Sequence, residues 1–231
     1  MNRCLVCHQT VEQQLTFKWL FSFGQMQEKD ICEECWQKFI PIQANERCSG
    51  CGRKQAKNSL CYDCSRWQKN GQTVLLKNRA LFVYNEAMQH FMEEYKFKGD
   101  YYWRYLFQDI FEQNLHYYYR KDWIYVPIPV DEQTMSVRGF NQVIGLLRTP
   151  ATTVAALKMK HFTKRTKQSH KNRAQRLATK QPFEYVENKS ITGKKILLLD
   201  DVYTTGRTLY YAQELLLQAG AECVQSFTLA R

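Results

Sequence analysis

Hydrophobic positions along this chain change their period several times, and each change marks an element. Residues 80–84 (Ala80, Leu81, Phe82, Val83, Tyr84) are a short apolar run that reads as a strand. Asn85 follows as a helix cap, and Met88, Phe91, Met92 and Tyr95 recur behind it at helical spacing. A second helical stretch, residues 103–116, turns Leu106, Phe107, Ile110, Phe111 and Leu115 to one side. Residues 123–126 are apolar again and close at Pro127-Ile128-Pro129. Further strands are expected around 160–163, 195–199 and 222–229, with helices over 141–147 and 208–219. Strands alternating with helices predict an α/β domain over residues 73–231, with a mostly parallel sheet and flanking helices. In such sheets ligands bind beyond the carboxyl ends of the strands.

Residues 1–72 have no such alternation, and cysteine orders them instead. Four Cys-x-x-Cys pairs stand there: Cys4/Cys7, Cys32/Cys35, Cys48/Cys51 and Cys61/Cys64. One pair places two thiolates on a metal from a tight turn, and a tetrahedral zinc takes two pairs. Eight thiolates therefore predict two closed, structural zinc sites in a small N-terminal module. Sequential pairing, 4/7 with 32/35 and 48/51 with 61/64, needs only short-range closure and is preferred. Cross-brace pairing is the alternative. Trp19, Phe21, Phe23 and Trp36 would fill the small cores of such a module or stack on bases. Cys223 stands alone on an apolar run and reads as a small hydrophobe. The polar stretch Gln68-Lys69-Asn70-Gly71-Gln72 reads as the linker and as a hinge between module and domain.

The chemistry concentrates after the strand at 195–199. Asp200 and Asp201 follow its apolar run, then Val202-Tyr203, then Thr204-Thr205-Gly206-Arg207-Thr208 and an amphipathic helix. A strand, a Thr/Gly turn and a helix start make a phosphate cradle, because backbone N–H groups point outward there and glycine permits close approach. The two carboxylates beside it suit sugar hydroxyls.

Composition agrees with one domain plus a small module, with 44% hydrophobic residues in 231. Neither a signal peptide nor a long apolar span is evident in the sequence, so the expectation is a cytoplasmic protein without membrane insertion. The net charge of +11 is localised: residues 133–183 contain eleven Lys and Arg and no Asp or Glu. Lys158, Lys160, Lys164, Arg165, Lys167, Lys171, Arg173, Arg176 and Lys180 cluster within it. Such an acid-free run is either a solvated face or a contact for phosphates, and mutual repulsion favours the anionic partner.

The stretch from Lys195 to Thr208 resembles the phosphoribosyl-pyrophosphate (PRPP) motif of the type I phosphoribosyltransferases. By that resemblance Asp200 and Asp201 hold ribose hydroxyls, while Thr204, Thr205, Gly206, Arg207 and Thr208 hold the 5′-phosphate; Mg²⁺ would accompany PRPP. Adding Lys96 to Asp100, Val126 to Pro129, Arg138-Gly139-Phe140-Asn141-Gln142, Thr166, Gln168 and Arg176, nearly the whole chain resembles the ComF family, in its ComFC branch. That family joins a zinc module to a phosphoribosyltransferase-like domain. The resemblance implies DNA uptake in natural transformation, single-stranded DNA as ligand, and partnership with the helicase-like ATPase ComFA. It also implies a pocket for PRPP or a nucleotide. Lys96, Lys98 and Gly99 resemble a pyrophosphate-side loop, or else form a solvated helix end. Arg138 and Asn141 contact ligand by analogy, or only cap the helix that follows. A catalytically active phosphoribosyltransferase is the alternative reading of the whole.

Overall fold

The computed structural model describes residues 3–11, 30–70, 74–120, 122–160, 181–187 and 190–231. Among the described residues the N-terminal part contains two short helices, α1 (Glu33–Trp36) and α2 (Tyr62–Lys69), each preceded by a cysteine as its N-cap residue. The larger part runs β1 (Asn78–Phe82), α3 (Glu86–Met92), α4 (Gln108–Tyr118), β2 (Trp123–Pro127), α5 (Glu132–Arg138), α6 (Gln142–Gly145), β3 (Leu157–Met159), β4 (Phe183–Tyr185), β5 (Lys195–Val202), α7 (Arg207–Gln218) and β6 (Cys223–Ala230). Four strands form a wholly parallel sheet in the order β1-β6-β5-β2. β3 and β4 make a separate antiparallel ribbon.

Strand alternation divides the core. Leu197, Leu199, Phe227 and Leu229 face a layer built by Phe91, Phe107, Phe111 and Leu115. Ile196, Leu198 and Val224 face Leu209, Ala212 and Leu216 of α7. Both faces of β5 are thus covered, which its uninterrupted apolar run requires. Asn85 caps α3 by accepting from the Met88 N–H, as its position before the apolar period implies.

Three expectations need adjusting. The helix expected over 103–116 is broken into a 3-10 turn, Tyr101–Leu106, and α4. The break falls at Phe107, whose buried ring packs against Trp36, Phe39, Phe82 and Phe91; burying that ring outweighs helical continuity. The strand expected near 160–163 lies earlier, at Leu157–Met159, while residues 161–163 fall outside the described residues. β5 continues to Val202, beyond its apolar run, because its ladder to β6 continues through Asp200 and Val202. Backbone pairing, not side-chain polarity, ends that strand.

The N-terminal part lies along the outer edge of β1. Ile42 N–H donates to Leu81 O and Val83 N–H to Ile40 O, while Asn78 N–H donates to Gly50 O. These bonds satisfy an edge that would otherwise be open. Phe39 belongs to one main cluster, and Cys48, Cys51, Cys61 and Cys64 to the other. Of the expected linker, Gln68 and Lys69 instead form the last residues of α2 and Asn70 its C-cap, while residues 71 and 72 lie outside the described residues.

Candidate ligand site and metal centres

Asp200 and Asp201 are buried at the carboxyl end of β5, 8% and 3% exposed. They occupy the strand itself rather than the turn beyond it, so the ladder sets their spacing. Lys96 reaches Asp201 as an ion pair at 2.5 Å, from the single π-helical turn Glu93–Phe97 that continues α3. Gln142 Nε2 donates to Asp201 Oδ1 at 3.4 Å. The Arg138 guanidinium in turn donates from Nε to Lys96 O at 2.8 Å and from Nη1 to Gln142 Oε1. The Tyr95 hydroxyl donates to Gln142 O at 2.9 Å. A lysine, a glutamine and an arginine therefore brace one carboxylate.

Burial and neighbouring charge push the two acids in opposite directions. Burial and the neighbouring Asp201 charge push the Asp200 pKa well above the ordinary carboxylate value. Burial also opposes ionisation of Asp201, but the Lys96 ammonium and a hydrogen bond from Asp200 outweigh it, and its pKa is lowered. A proton shared by the pair therefore resides preferentially on Asp200, while Lys96 stands against Asp201. A neutral acid beside an ionised one offers both a donor and acceptors, the combination that vicinal hydroxyls require.

The turn after β5 is formed as expected. Thr204 and Thr205 are exposed, and Gly206 is buried with φ +79°. A Cβ on Gly206 would stand 2.2 Å from the Tyr203 hydroxyl, so only glycine passes over that ring. Gly206 is the N-cap residue of α7, a twelve-residue helix, and Arg207 N–H donates to Thr205 Oγ1 at 3.4 Å. Phosphate cradling by such a helix start rests on its free N–H groups and dipole.

Other expected residues take varied places. Lys98 is exposed and pairs with Glu94 at 2.6 Å. Gly99 has φ +74°, and a Cβ there would stand 3.8 Å from Arg138 O. Asn141 caps α6, accepting from Val143 and Ile144 N–H, while its amide donates to Ile128 O; capping uses its acceptor fully. Lys158 has an acid after all, Glu184, its cross-strand neighbour at 2.9 Å. Lys160 N–H donates to Pro182 O at the base of the ribbon. Lys164, Arg165, Lys167, Lys171, Arg173, Arg176 and Lys180 lie outside the described residues, as do Trp19, Phe21, Phe23, Thr166 and Gln168. Gln142 and Tyr95 are site residues the sequence reading passed over, although Gln142 stood inside the quoted Arg138–Gln142 stretch.

The cysteines gather in sequential order: Cys4, Cys7, Cys32 and Cys35 in one group, Cys48, Cys51, Cys61 and Cys64 in the other. Sulfur separations are 3.7 Å for Cys7–Cys32 and 3.6 Å for Cys48–Cys64 and Cys51–Cys61. Four sulfurs about 2.3 Å from a tetrahedral zinc stand about 3.8 Å apart, so both groups fit that ion. All nine cysteines are free of disulfides. Burial works against the Cys4 thiolate, yet backbone N–H contacts prevail and bring its pKa to about 6. Side-chain hydrogen bonding with Cys51 and Cys64 lowers Cys48 strongly. A shallow cleft of about 710 Å³, lined by His116, Arg120, Trp123 and Thr152, opens at the opposite end of β2; no motif residue lines it.

Comparison with known proteins accords with this geometry. Residues 141–231 match the phosphoribosyl transferase domain family. The chain is 37% identical over 229 residues to competence protein ComFC of Streptococcus pneumoniae (strain ATCC BAA-255 / R6), covering 99% of this chain and 100% of that one. With competence protein ComFC of Bacillus subtilis (strain 168) it shares 33% identity over 99% of this chain and 94% of the relative. The chain belongs to the ComFC family. Family membership places it among competence proteins built on a phosphoribosyltransferase-like domain. A hypoxanthine phosphoribosyltransferase from Staphylococcus aureus overlaps 54% of this chain and 60% of its own, at 16% identity and a TM-score of 0.28. Among the described residues no helix is long and apolar enough to cross a membrane.

Proposed function

We propose that this protein is a DNA-uptake factor of natural transformation that acts by binding. The basic segment 158–180 tracks single-stranded DNA, the Asp200–Thr208 cradle takes PRPP or a nucleotide, and the helicase-like ATPase ComFA is the partner. The reading has the protein working in the cytoplasm, with two zinc ions as scaffold. Full-length similarity to competence proteins carries the proposal. Exposed rings on the stretch that follows Lys96 support it: Phe97, Tyr101 and Tyr105, with the Arg104 guanidinium between the last two at 3.9 and 4.1 Å. Such rings stack on bases without regard to sequence. Gln181, the residue that follows the basic segment in sequence, donates to Tyr211 O on the cradle's helix α7 at 2.9 Å.

Titrating single-stranded DNA and PRPP, separately and together, into zinc-loaded protein tests the proposal. Exchanging Lys164, Arg165 and Lys167 for Glu should weaken DNA binding and flatten its salt dependence, since fewer counterions are released. Unchanged affinity across salt would remove the basic segment from the DNA reading. The second reading, an active phosphoribosyltransferase, draws on the donor-and-acceptor pairing of Asp200 with Asp201. On that reading the pair orients ribose while Lys96, Lys98, Gly99 and Arg138 face the departing pyrophosphate, and Mg²⁺ bound with PRPP would supply charge neutralisation. PRPP-dependent pyrophosphate release, abolished in the double variant Asp200→Asn, Asp201→Asn, would establish it.

A further inference from the structure

One helix of the second cysteine group also holds the phosphate loop. α2 is preceded by Cys61 and contains Cys64, and Asp63 and Trp67 project from it toward the loop. Trp67 Nε1 donates to Thr205 O at 3.1 Å, and its ring lies on Tyr210 of α7 with centroids 4.4 Å apart. Asp63 accepts from Arg231 Nη2 at 3.2 Å. Arg231 Nη1 donates to Tyr203 O at 3.1 Å and to Thr204 O at 2.6 Å. The same guanidinium lies 4.8 Å from the centre of the Tyr203 ring. Three successive loop carbonyls, Tyr203, Thr204 and Thr205, are therefore held by two side chains, Trp67 of α2 and Arg231, which Asp63 of α2 anchors.

In a trans peptide the C=O of one residue and the N–H of the next point in opposite directions. Holding those three carbonyls turns the N–H groups of Thr204, Thr205 and Gly206 the other way. These are the donors a phosphate cradle needs. Arg231 contacts both ends of the arrangement, Asp63 beside the ligand Cys64 on α2 and the loop itself, and hydrogen bonds around a metal's ligands commonly orient such sites.

We propose that Trp67 and Arg231 are positioning residues that preset the phosphate loop, and that metal bound by Cys48, Cys51, Cys61 and Cys64 maintains this setting by fixing α2. The proposal rests on the cradle's reading as a phosphate site. By linkage, ligand in the loop must also tighten metal in that group and not in the other.

Three measurements on full-length, zinc-loaded protein decide it. The first is amide exchange at Tyr210, whose N–H donates to Gly206 O across the loop's junction with α7 at 2.9 Å. The second is PRPP affinity, and the third is the rate of zinc release to a chelating dye with and without PRPP. Trp67→Phe keeps a ring on Tyr210 and removes only the donor. It should retain both zinc ions, speed Tyr210 exchange, and weaken PRPP about tenfold, the worth of one hydrogen bond. PRPP should slow release of one zinc in the wild type and lose that effect in the variant. PRPP binding with unchanged release of both ions, or Trp67→Phe with unchanged exchange and affinity, overturns the proposal. If Trp67→Phe sheds zinc, Arg231→Lys, which leaves α2 intact, decides on the same readouts. If the wild type takes no PRPP, the phosphate reading fails, and exchange at Tyr210 before and after zinc removal still decides the coupling.

Discussion

Lys96 is the residue on which the acidic pair depends. Its ammonium keeps Asp201 ionised in a place where burial disfavours charge, so Lys96→Met leaves two buried carboxyls to share that burden. Removing one partner of a buried pair costs about 3–5 kcal/mol, and denaturant unfolding at neutral pH should show a loss of this order. The two acids also impose opposite pH dependences. For Asp201, whose pKa is lowered on folding, the contribution to stability is present above the unfolded carboxylate value and disappears as pH falls through its folded value. For Asp200, whose pKa is raised, the contribution is complete below the unfolded value and is lost as pH rises toward the folded one. Asp200→Asn should therefore be more stable than wild type at neutral pH, with the advantage shrinking as pH falls below the carboxylate range. Unfolding midpoints measured from acid to neutral pH check both signs.

The strand-loop-helix unit from β5 to α7 depends on Gly206. Any side chain there meets the Tyr203 ring and holds a left-handed conformation. Gly206→Ala is expected to cost about 1–3 kcal/mol and to displace the loop, so PRPP binding should fall more than stability does. Calorimetric titration beside thermal unfolding separates the two. Legibility varied along this unit. The apolar run and the Thr-Thr-Gly turn were readable because each reflects a local backbone demand. That Asp200 and Asp201 stay within the strand was not, since the cross-strand pairing with Thr228 and Ala230 decides it. Likewise Asn141 announced a helix cap, but the bracing of Asp201 by Gln142 joins residues 59 positions apart.

Across the whole molecule, the module and the α/β domain share hydrogen bonds along β1 and both apolar clusters. Chelating the metal should lower the midpoint of one cooperative unfolding transition rather than remove a separate one. Calorimetry of the zinc-loaded and chelated protein shows which occurs. Deleting residues 1–68 should likewise expose the β1 edge and the half-covered faces of Phe82 and Leu76, and promote self-association in sedimentation experiments. A module held this way fits a scaffold for the loop better than a swinging arm.

The sequence alone determined the strand and helix alternation, the two sets of four thiolates and the acid-loop motif, because each arises from residues near one another in the chain. Sequential zinc pairing was favoured on the same short-range ground, and the sulfur geometry agrees. Only the tertiary structure decided that Lys96 pairs with Asp201 and that Trp67 and Arg231 hold the loop after β5. Those contacts span 105, 138 and 27 residues. Periodicity and spacing report what a segment demands of its own backbone, whereas the partner of a buried charge or carbonyl depends on which segments the fold brings together.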